Sequence, residues 1–267
     1  MNFVKLIESY TGSDTERRLA EPTSRRGAFS RIGDAFGDVA KVALPLGAAI
    51  LAPRTSYAQT GSDPIAVFNF ALLLEYLEAE FYISGLDSAG LLTGDTRAVV
   101  EQISQHESAH VEFLRGAISG NGGTPIDRPT FDFTAGGTFA DVFSNPATFL
   151  AVAQAFEDTG VRAYKGQAPN LVGTGDLLTA ALQIHSVEAR HASEIRRIRG
   201  LDGWIPFADG IDGVPATDAV YAGENNLTQL GLNAADVGGV TPEEATEAYD
   251  EPLSRDAVTE IASLFIV

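Results

Sequence analysis

A carboxylate and an imidazole lie three residues apart in the middle of an otherwise apolar helical stripe, and this pair constrains the fold more than any other feature. The stripe reads Leu177, Ala181, Ile184, Glu188, His191, Ile195 and Ile198. Residues at this spacing share the helix face that is buried against neighbouring helices. An ionised carboxylate buried without a partner is very costly, so we expect a compensating group beside Glu188. A metal ion suits this role, because Glu and His at positions i and i+3 project side by side.

A second Glu-x-x-His pair lies upstream in an equivalent setting. Its stripe reads Val100, Ile103, Glu107, His110, Leu114 and Ala117. A shift of 81 residues along the chain lays Glu107 on Glu188 and His110 on His191, and apolar neighbours coincide as well. One such pair is weak support for a metal site, whereas two pairs in a repeat are strong support.

The segments that precede the two pairs repeat as well. The first copy has Asp63-Pro64, Glu75 and Tyr82, and the second has Asn145-Pro146, Glu157 and Tyr164. Asp or Asn before proline is typical of a helix start, because the side chain caps the helix and proline suits its first position. The sequence therefore predicts an all-α protein made of a duplicated helical hairpin. Each copy carries Glu on its first helix and Glu-x-x-His on its second.

At these residues the sequence resembles the ferritin-like di-metal carboxylate superfamily, which includes bacterioferritin, rubrerythrin and manganese catalase. The pattern of that class is one Glu from each of two helices and Glu-x-x-His from each of the other two. The resemblance covers about residues 63–200 and implies a ferritin-like four-helix bundle. Carried over by position, it implies the following metal ligands: Glu75, Glu107, His110, Glu157, Glu188 and His191.

The resemblance also implies roles for individual residues. Glu107 and Glu188 would bridge two metal ions, and each histidine would cap one ion. Tyr82 and Tyr164 would contact the ligands and not the metal, and would orient those ligands as the corresponding tyrosines of the family do. Glu78 is a rival to Glu75, but it aligns with a glycine in the repeat. We therefore assign Glu78 a place behind the ligands or in a substrate channel.

Two readings of the polar residues compete with this assignment. The first is a bundle with buried salt bridges and no metal, which is disfavoured because four carboxylates and two imidazoles in one core would repel without cations. The second would add His106 and His185 to the ligands. Neither histidine is repeated in the other copy, so we expect both to be hydrogen-bonded or exposed.

The long connection between the second and third helices supports the same architecture. Residues 120–145 are rich in Gly, Pro and Thr, and they contain Phe131, Phe133, Phe139 and Phe143. An adjacent antiparallel helix needs only a short turn, whereas ferritin-like bundles have a long crossover at this point. We expect these phenylalanines to seal one side of the bundle.

The two ends of the chain lie outside the predicted bundle, which we place at 59–200. Residues 1–58 are typical of an export signal, since Arg25-Arg26 precede an apolar run and Ser56-Tyr57-Ala58 suits cleavage. The paired arginines favour the twin-arginine route; a disordered arm is the alternative. Residues 201–267 form an irregular extension whose apolar end predicts docking on the bundle or on a partner subunit of a homo-oligomer.

Composition excludes several classes of function. The formal net charge of −18 argues against nucleic acid and anionic membranes as partners. The chain has no cysteine, which excludes disulfides and a rubredoxin-type iron site. Its one methionine is Met1, so the methionine-ligated haem of bacterioferritin is not expected. The apolar run near the N-terminus is too short to span a bilayer, so we expect no transmembrane helix in the mature protein.

These observations predict a protein with two Fe or two Mn ions, because oxygen and imidazole ligands without thiolate suit those metals. We expect it to act in the periplasm or outside the cell, where it would oxidise metal or consume peroxide or dioxygen in the manner of a ferroxidase, peroxidase or catalase. One alternative is iron sequestration in a hollow oligomer. Another is a stress-protective bundle with a structural metal. The run Glu75-Tyr76-Leu77-Glu78 and the tail from Pro252-Leu253 to Ile266-Val267 resemble exported, desiccation-related ferritin-like proteins.

Overall fold

Four long helices dominate the computed structural model, which describes residues 63–211 and 214–267. They are α1 (Pro64–Asp87), α2 (Gly94–Gly120), α3 (Pro146–Gln167) and α4 (Asp176–Ile198). Helix α1 packs on α2 and helix α3 packs on α4, and further contacts join α1 to α3 and α2 to α4. The predicted all-α bundle with a long crossover between its second and third helices is confirmed. The predicted export signal at 1–58 lies outside the described residues.

The first and third helices begin in the same way, as the repeat predicts. The Oδ1 atom of Asp63 accepts a hydrogen bond from the backbone N–H of Ile65 at 3.0 Å, and Asn145 accepts one from Ala147 at the same distance. Proline occupies the first helical position in both cases. Each cap satisfies a backbone donor that the helix leaves unpaired.

Two glycines near the C-terminal ends of α1 and α3 lie inside these helices. Gly85 is buried within α1, and a Cβ atom there would lie 2.2 Å from the Phe149 ring of α3. Gly166 lies within α3, and its Cβ would lie 1.9 Å from the carbonyl oxygen of Leu253. Both glycines therefore permit close approach by another segment, which a local sequence pattern does not reveal.

The crossover between α2 and α3 closes one side of the bundle with aromatic rings. Phe133 and Phe139 are buried, while Phe131 and Phe143 are partly buried against the same core. The Phe81 ring of α1 contacts the Phe133 ring of the crossover edge to face, with a centroid distance of 5.4 Å. The crossover thus adds a hydrophobic layer to the bundle, as the sequence predicts.

The C-terminal extension consists of short elements that follow α4. They are a 3₁₀ turn (Pro215–Thr217), α5 (Asp218–Tyr221), β1 (Thr228–Gln229), β2 (Leu232–Asn233), α6 (Ala234–Gly238), α7 (Pro242–Thr246) and α8 (Arg255–Ser263). The two strands form an antiparallel hairpin that pairs Thr228 with Asn233. Within the described ranges, no helix has the length and apolar character that crossing a membrane requires.

A buried arginine of α3 attaches this extension to the bundle. The Arg162 side chain is 1% exposed, and its Nε lies 2.8 Å from the Glu224 carboxylate. Its guanidinium also donates to the carbonyl oxygens of Val220 and Ala222. The backbone N–H of Leu253 donates in turn to the Arg162 carbonyl oxygen at 3.1 Å. Two parts of the extension, residues 220–224 and Leu253, therefore converge on this one arginine.

We predict that Gly166→Ala destabilises the protein while Gly116→Ala does not. The new Cβ at Gly166 meets the Leu253 backbone, so we expect the free energy of unfolding to fall by about 1–3 kcal/mol. Gly116 lies on the exposed face of α2 with open space around it, so alanine there should stabilise the helix by up to about 1 kcal/mol. Thermal unfolding of both variants measures the difference. Equal effects at the two positions would contradict the proposed close approach.

Candidate metal centre

Six side chains from the four long helices converge inside the bundle. They form two overlapping groups of potential metal donors: Glu75, Glu107, His110 and Glu188 in the first, and Glu107, Glu157, Glu188 and His191 in the second. Within each group, one donor atom from every residue lies within 4.8 Å of the others. Glu107 and Glu188 belong to both groups. The structure thus brings together all six residues that the repeat and the family resemblance single out.

His110 occupies the centre of the first group. Its Nδ1 lies 3.0 Å from Oε2 of Glu107, 3.1 Å from Oε2 of Glu75 and 3.3 Å from Oε1 of Glu188. The imidazole is the most exposed member of the group, with a side chain 13% accessible to solvent, whereas the three carboxylates are fully buried. One nitrogen therefore faces three carboxylates from three different helices.

His191 occupies the corresponding place in the second group. Its Nδ1 lies 2.8 Å from Oε1 of Glu107 and 3.3 Å from Oε2 of Glu157. Glu107 thus directs one oxygen toward each histidine: Oε2 toward His110 and Oε1 toward His191. A carboxylate in this position is suited to contact two cations at once.

Two buried tyrosines donate hydrogen bonds to the outer carboxylates, Glu75 and Glu157, each of which belongs to only one of the two donor groups. The hydroxyl of Tyr82 on α1 donates to Oε1 of Glu157 on α3, and the hydroxyl of Tyr164 on α3 donates to Oε1 of Glu75 on α1, each at 2.5 Å. This reciprocal exchange shows that α1 and α3 run antiparallel. Burial and the adjacent carboxylates raise the pKa of both tyrosines well above the ordinary value. Both hydroxyls therefore remain neutral donors that orient the carboxylates.

The donor atoms fit a bound cation better than an empty polar core. Within the part of the chain that the structure describes, several buried atoms of the site have no partner in hydrogen-bond geometry, although Nδ1 of His191 lies 2.8 Å from Oε1 of Glu107. These atoms are Oε1 of Glu107, Oε2 of Glu157, both carboxylate oxygens of Glu188 and Nδ1 of His191. A buried polar atom left unsatisfied typically costs about 1–3 kcal/mol. Such atoms gathered at one place are what a metal ion would satisfy. The bundle therefore contains a buried carboxylate and histidine cluster that is able to bind metal.

The charges of the cluster depend strongly on one another. Burial raises the pKa of Glu75 to about 8, and burial together with repulsion from Glu107 raises the pKa of Glu188 well above its ordinary value. Burial alone would raise the pKa of Glu107 as well, but the interactions with His110 and His191 outweigh it and lower the pKa to about 2. Without a metal ion, protons on the other groups compensate the Glu107 carboxylate.

The same carboxylates act on the histidines. Burial alone would lower the pKa of His191, but Glu157 and Glu107 outweigh it and raise the pKa to about 11. For His110, contacts with Glu107 and Glu188 likewise overcome burial and raise the pKa. Both imidazoles are thus protonated to the positively charged form in the metal-free protein, and this charge takes the place of a metal cation.

Glu78 lies beside the cluster but outside both donor groups. Its side chain is 3% exposed, and burial followed by the Glu188 charge raises its pKa well above the ordinary value. A Cβ atom on Gly160 would lie 3.2 Å from Oε1 of Glu78 and 3.1 Å from Oε2 of Glu188. The missing side chain at Gly160 therefore leaves room for both carboxyl groups. The structure thus places Glu78 near the predicted ligands, where burial favours its protonated form.

His106 has a closer connection to the cluster than the sequence predicts. Its Nδ1 lies 2.9 Å from Nε2 of His191, and its own Nε2 lies 2.7 Å from the side-chain amide of Gln102. The sequence predicts a hydrogen-bonded or exposed side chain for His106 but not this partner, because His106 lies at the edge of the apolar stripe. His185 is half-buried, and its Nε2 has no partner among the described residues.

We predict that the metal-free protein loses stability as the pH rises from about 5 to about 9. The folded-state pKa of Glu75, about 8, lies above the ordinary value of 4.5, so between these values the folded protein holds a proton that the unfolded chain releases. The same holds for His191 between pH 6.5 and about 11. Stability falls wherever the folded state binds more protons. The lowered pKa of Glu107 acts in the opposite sense only below pH 4.5.

Thermal unfolding of chelator-treated protein across this pH range measures the effect. Glu75→Gln should remove the part of the decline that lies between pH 4.5 and about 8. In the presence of Mn²⁺ the stabilisation by metal should instead increase with pH, because protons compete with the metal for the same atoms. A metal-free stability that rises from pH 5 to 9 would contradict this account of the cluster.

Comparison with known families agrees with the geometry. Residues 63–201, slightly more than half of the chain, match the family model described as a ferritin-like domain. A search among curated proteins gave no match. The predicted membership of the ferritin-like superfamily is confirmed, whereas the narrower resemblance to exported, desiccation-related proteins stays a prediction. With its four-helix bundle and its buried carboxylate and histidine cluster, the chain belongs to the family of ferritin-like domain proteins.

Proposed function

We propose that this chain is an exported ferritin-like protein that binds a dinuclear iron or manganese centre and uses it to oxidise metal or to remove peroxide or dioxygen during stress. The observation that carries the proposal is the pair of donor groups that share Glu107 and Glu188. Each group has one histidine and one outer carboxylate of its own. Two overlapping groups of this composition suit two ions that share ligands, whereas a single ion needs only one group.

The charges of the site support two ions rather than one. The cluster contains four fully buried carboxylates and two imidazoles. Four carboxylates balance two divalent cations, whereas a single divalent cation would leave two buried negative charges that protons must neutralise. Glu107 supports the same interpretation, because its two oxygens face different histidines.

The donor types support iron or manganese. All the donor atoms are carboxylate oxygens or imidazole nitrogens, and the sequence contains no cysteine that could add a thiolate. Such a mixed oxygen and nitrogen set suits iron or manganese better than a metal that prefers sulfur. Bound iron or manganese would supply the electron transfer that reactions with dioxygen or peroxide require.

The surrounding residues would support that chemistry. Tyr82 and Tyr164 hold Glu157 and Glu75 in place through their hydroxyl groups. Glu78 is buried near Glu188 and burial raises its pKa well above the ordinary value, so its carboxyl group is placed to donate or accept a proton. Buried side chains surround the carboxylates and keep bulk water away. We assign Glu78 to proton transfer and the tyrosines to ligand orientation.

We predict about two Fe or Mn ions per chain in the purified protein, and their loss in a Glu107→Ala/Glu188→Ala variant. Each substitution removes a carboxylate that is shared by both donor groups. Glu112→Ala/Glu194→Ala is a matched control, because it removes two exposed carboxylates from the same helices. Plasma mass spectrometry measures the metal content. Equal metal content in all three proteins would contradict the proposed site.

Assays on the loaded protein separate the proposed activity from its alternatives. Consumption of peroxide or dioxygen that disappears with the metal is the expected result. A protein that holds two ions but consumes neither oxidant would have a structural metal site. A hollow particle in light scattering, together with iron far in excess of two ions per chain, would indicate sequestration.

We also propose that the protein is exported, on the basis of its N-terminal sequence alone. The support is the order of Arg25-Arg26, the apolar run and Ser56-Tyr57-Ala58 within residues 1–58. Arg25→Lys/Arg26→Lys should leave the unprocessed protein in the cytoplasm. The matched control is Arg17→Lys/Arg18→Lys, because it changes another arginine pair in the same segment. Cell fractionation and immunoblotting measure both, and export of both variants would argue against the twin-arginine route.

A further inference from the structure

The two halves of the cluster differ in what lies behind each histidine. Nε2 of His191 points away from the carboxylates and lies 2.9 Å from Nδ1 of His106. In the duplicated sequence the residue that corresponds to His106 is Val187, which precedes the other Glu-x-x-His pair. A valine side chain has no hydrogen-bonding group. The repeat therefore provides His191 with a polar partner at a position where it offers His110 none.

The hydrogen bonds behind His191 are consistent with one direction of donation. Nδ1 of His191 faces Glu107 and Glu157, so a metal ion in this half would take the lone pair of Nδ1. The ring proton then lies on Nε2 and is donated to Nδ1 of His106. The amide nitrogen of Gln102 lies 2.7 Å from Nε2 of His106, and a half-turn of that amide brings its oxygen to the same place, so that His106 carries its proton on Nε2 and donates to Gln102. Donor and acceptor alternate along the whole chain of three residues.

The two imidazole rings support a fixed geometry. The rings of His106 and His191 are nearly parallel, at 11°, with centroids 5.2 Å apart. The His191 side chain is 5% exposed, compared with 13% for His110. Two rings joined edge to edge by an N–H···N hydrogen bond of 2.9 Å have this centroid distance, so the hydrogen bond holds both rings in nearly one plane, while His110 is closer to solvent.

We propose that His106 is a positioning residue that makes the two halves of the centre unequal. The half with Glu157 and His191 binds the first metal ion and holds it more tightly, and the half with Glu75 and His110 fills second. The physical reason is that a hydrogen-bond acceptor behind a metal-bound histidine fixes its tautomer and orientation and makes it a stronger ligand. This inference rests on the proposed dinuclear site, and it adds an order of loading to it.

The test is a titration of the metal-free protein with Mn²⁺, followed by calorimetry and by electron paramagnetic resonance of the bound ion. The wild-type protein should bind in two steps. His106→Val, which introduces the residue of the other copy, should weaken the tighter step by about 10–100-fold and leave the weaker one unchanged. His106→Asn keeps an acceptor near the position of Nδ1 and should restore most of the affinity.

A matched control uses the other histidine that lacks a counterpart in the repeat. His185 corresponds to Ser104, so His185→Ser makes the same kind of exchange away from His191. It should leave both binding steps unchanged. Thermal unfolding of the metal-free variants shows whether they remain folded. If a lower affinity reflected only a loss of folding, the valine and asparagine variants would lose affinity together.

Single-site backgrounds assign the steps to the two halves. In His110→Ala the remaining step should be weakened by His106→Val, whereas in His191→Ala the remaining step should not respond. Equal weakening of both steps, or two wild-type steps that His106→Val leaves unchanged, would overturn this inference and leave the dinuclear site intact. Absence of Mn²⁺ binding by the wild-type protein would instead overturn the proposed site and this inference with it.

Discussion

Repulsion among four buried carboxylates is the constraint on which the rest of this structure depends. Glu75, Glu107, Glu157 and Glu188 are each fully buried, and none of them could remain ionised there without positive charge nearby. In the metal-free protein the imidazoles and shared protons supply that charge, as the raised pKa values of Glu75 and His191 show. Two bound cations would supply it without protons. The core of the bundle therefore needs positive charge beside its four carboxylates, and the two imidazoles provide only part of it.

Duplication explains how one chain builds such a site. Each helical hairpin contributes one lone Glu and one Glu-x-x-His pair, and the tyrosine of each copy holds the carboxylate of the other. The exceptions to the repeat are as informative as the repeat itself. Gly160 stands opposite Glu78 and leaves space for it beside Glu188, and His106 backs His191 whereas the other copy has a valine. These exceptions make the site asymmetric within a nearly symmetric bundle.

The sequence predicted the parts of the structure that depend on helical periodicity. The six cluster residues were identifiable because Glu and His interrupt apolar stripes at fixed spacing, and the caps at Asp63 and Asn145 follow from local chemistry. The close packing of Gly85 and Gly166 against distant segments could not be predicted, because a local sequence pattern does not reveal such contacts. The apolar end of the extension predicted docking, but the contact with Arg162 could not be predicted, because irregular segments have no period that indicates which surface they contact.

The most direct test of the account is anomalous diffraction from crystals of the protein loaded with Mn²⁺. The account predicts two separate anomalous peaks inside the bundle, one beside Glu75 and His110 and the other beside Glu157 and His191, with Glu107 and Glu188 in contact with both. A single peak, or ordered manganese only at the acidic surface with none among these residues, would contradict the central claim that the two donor groups form one dinuclear centre.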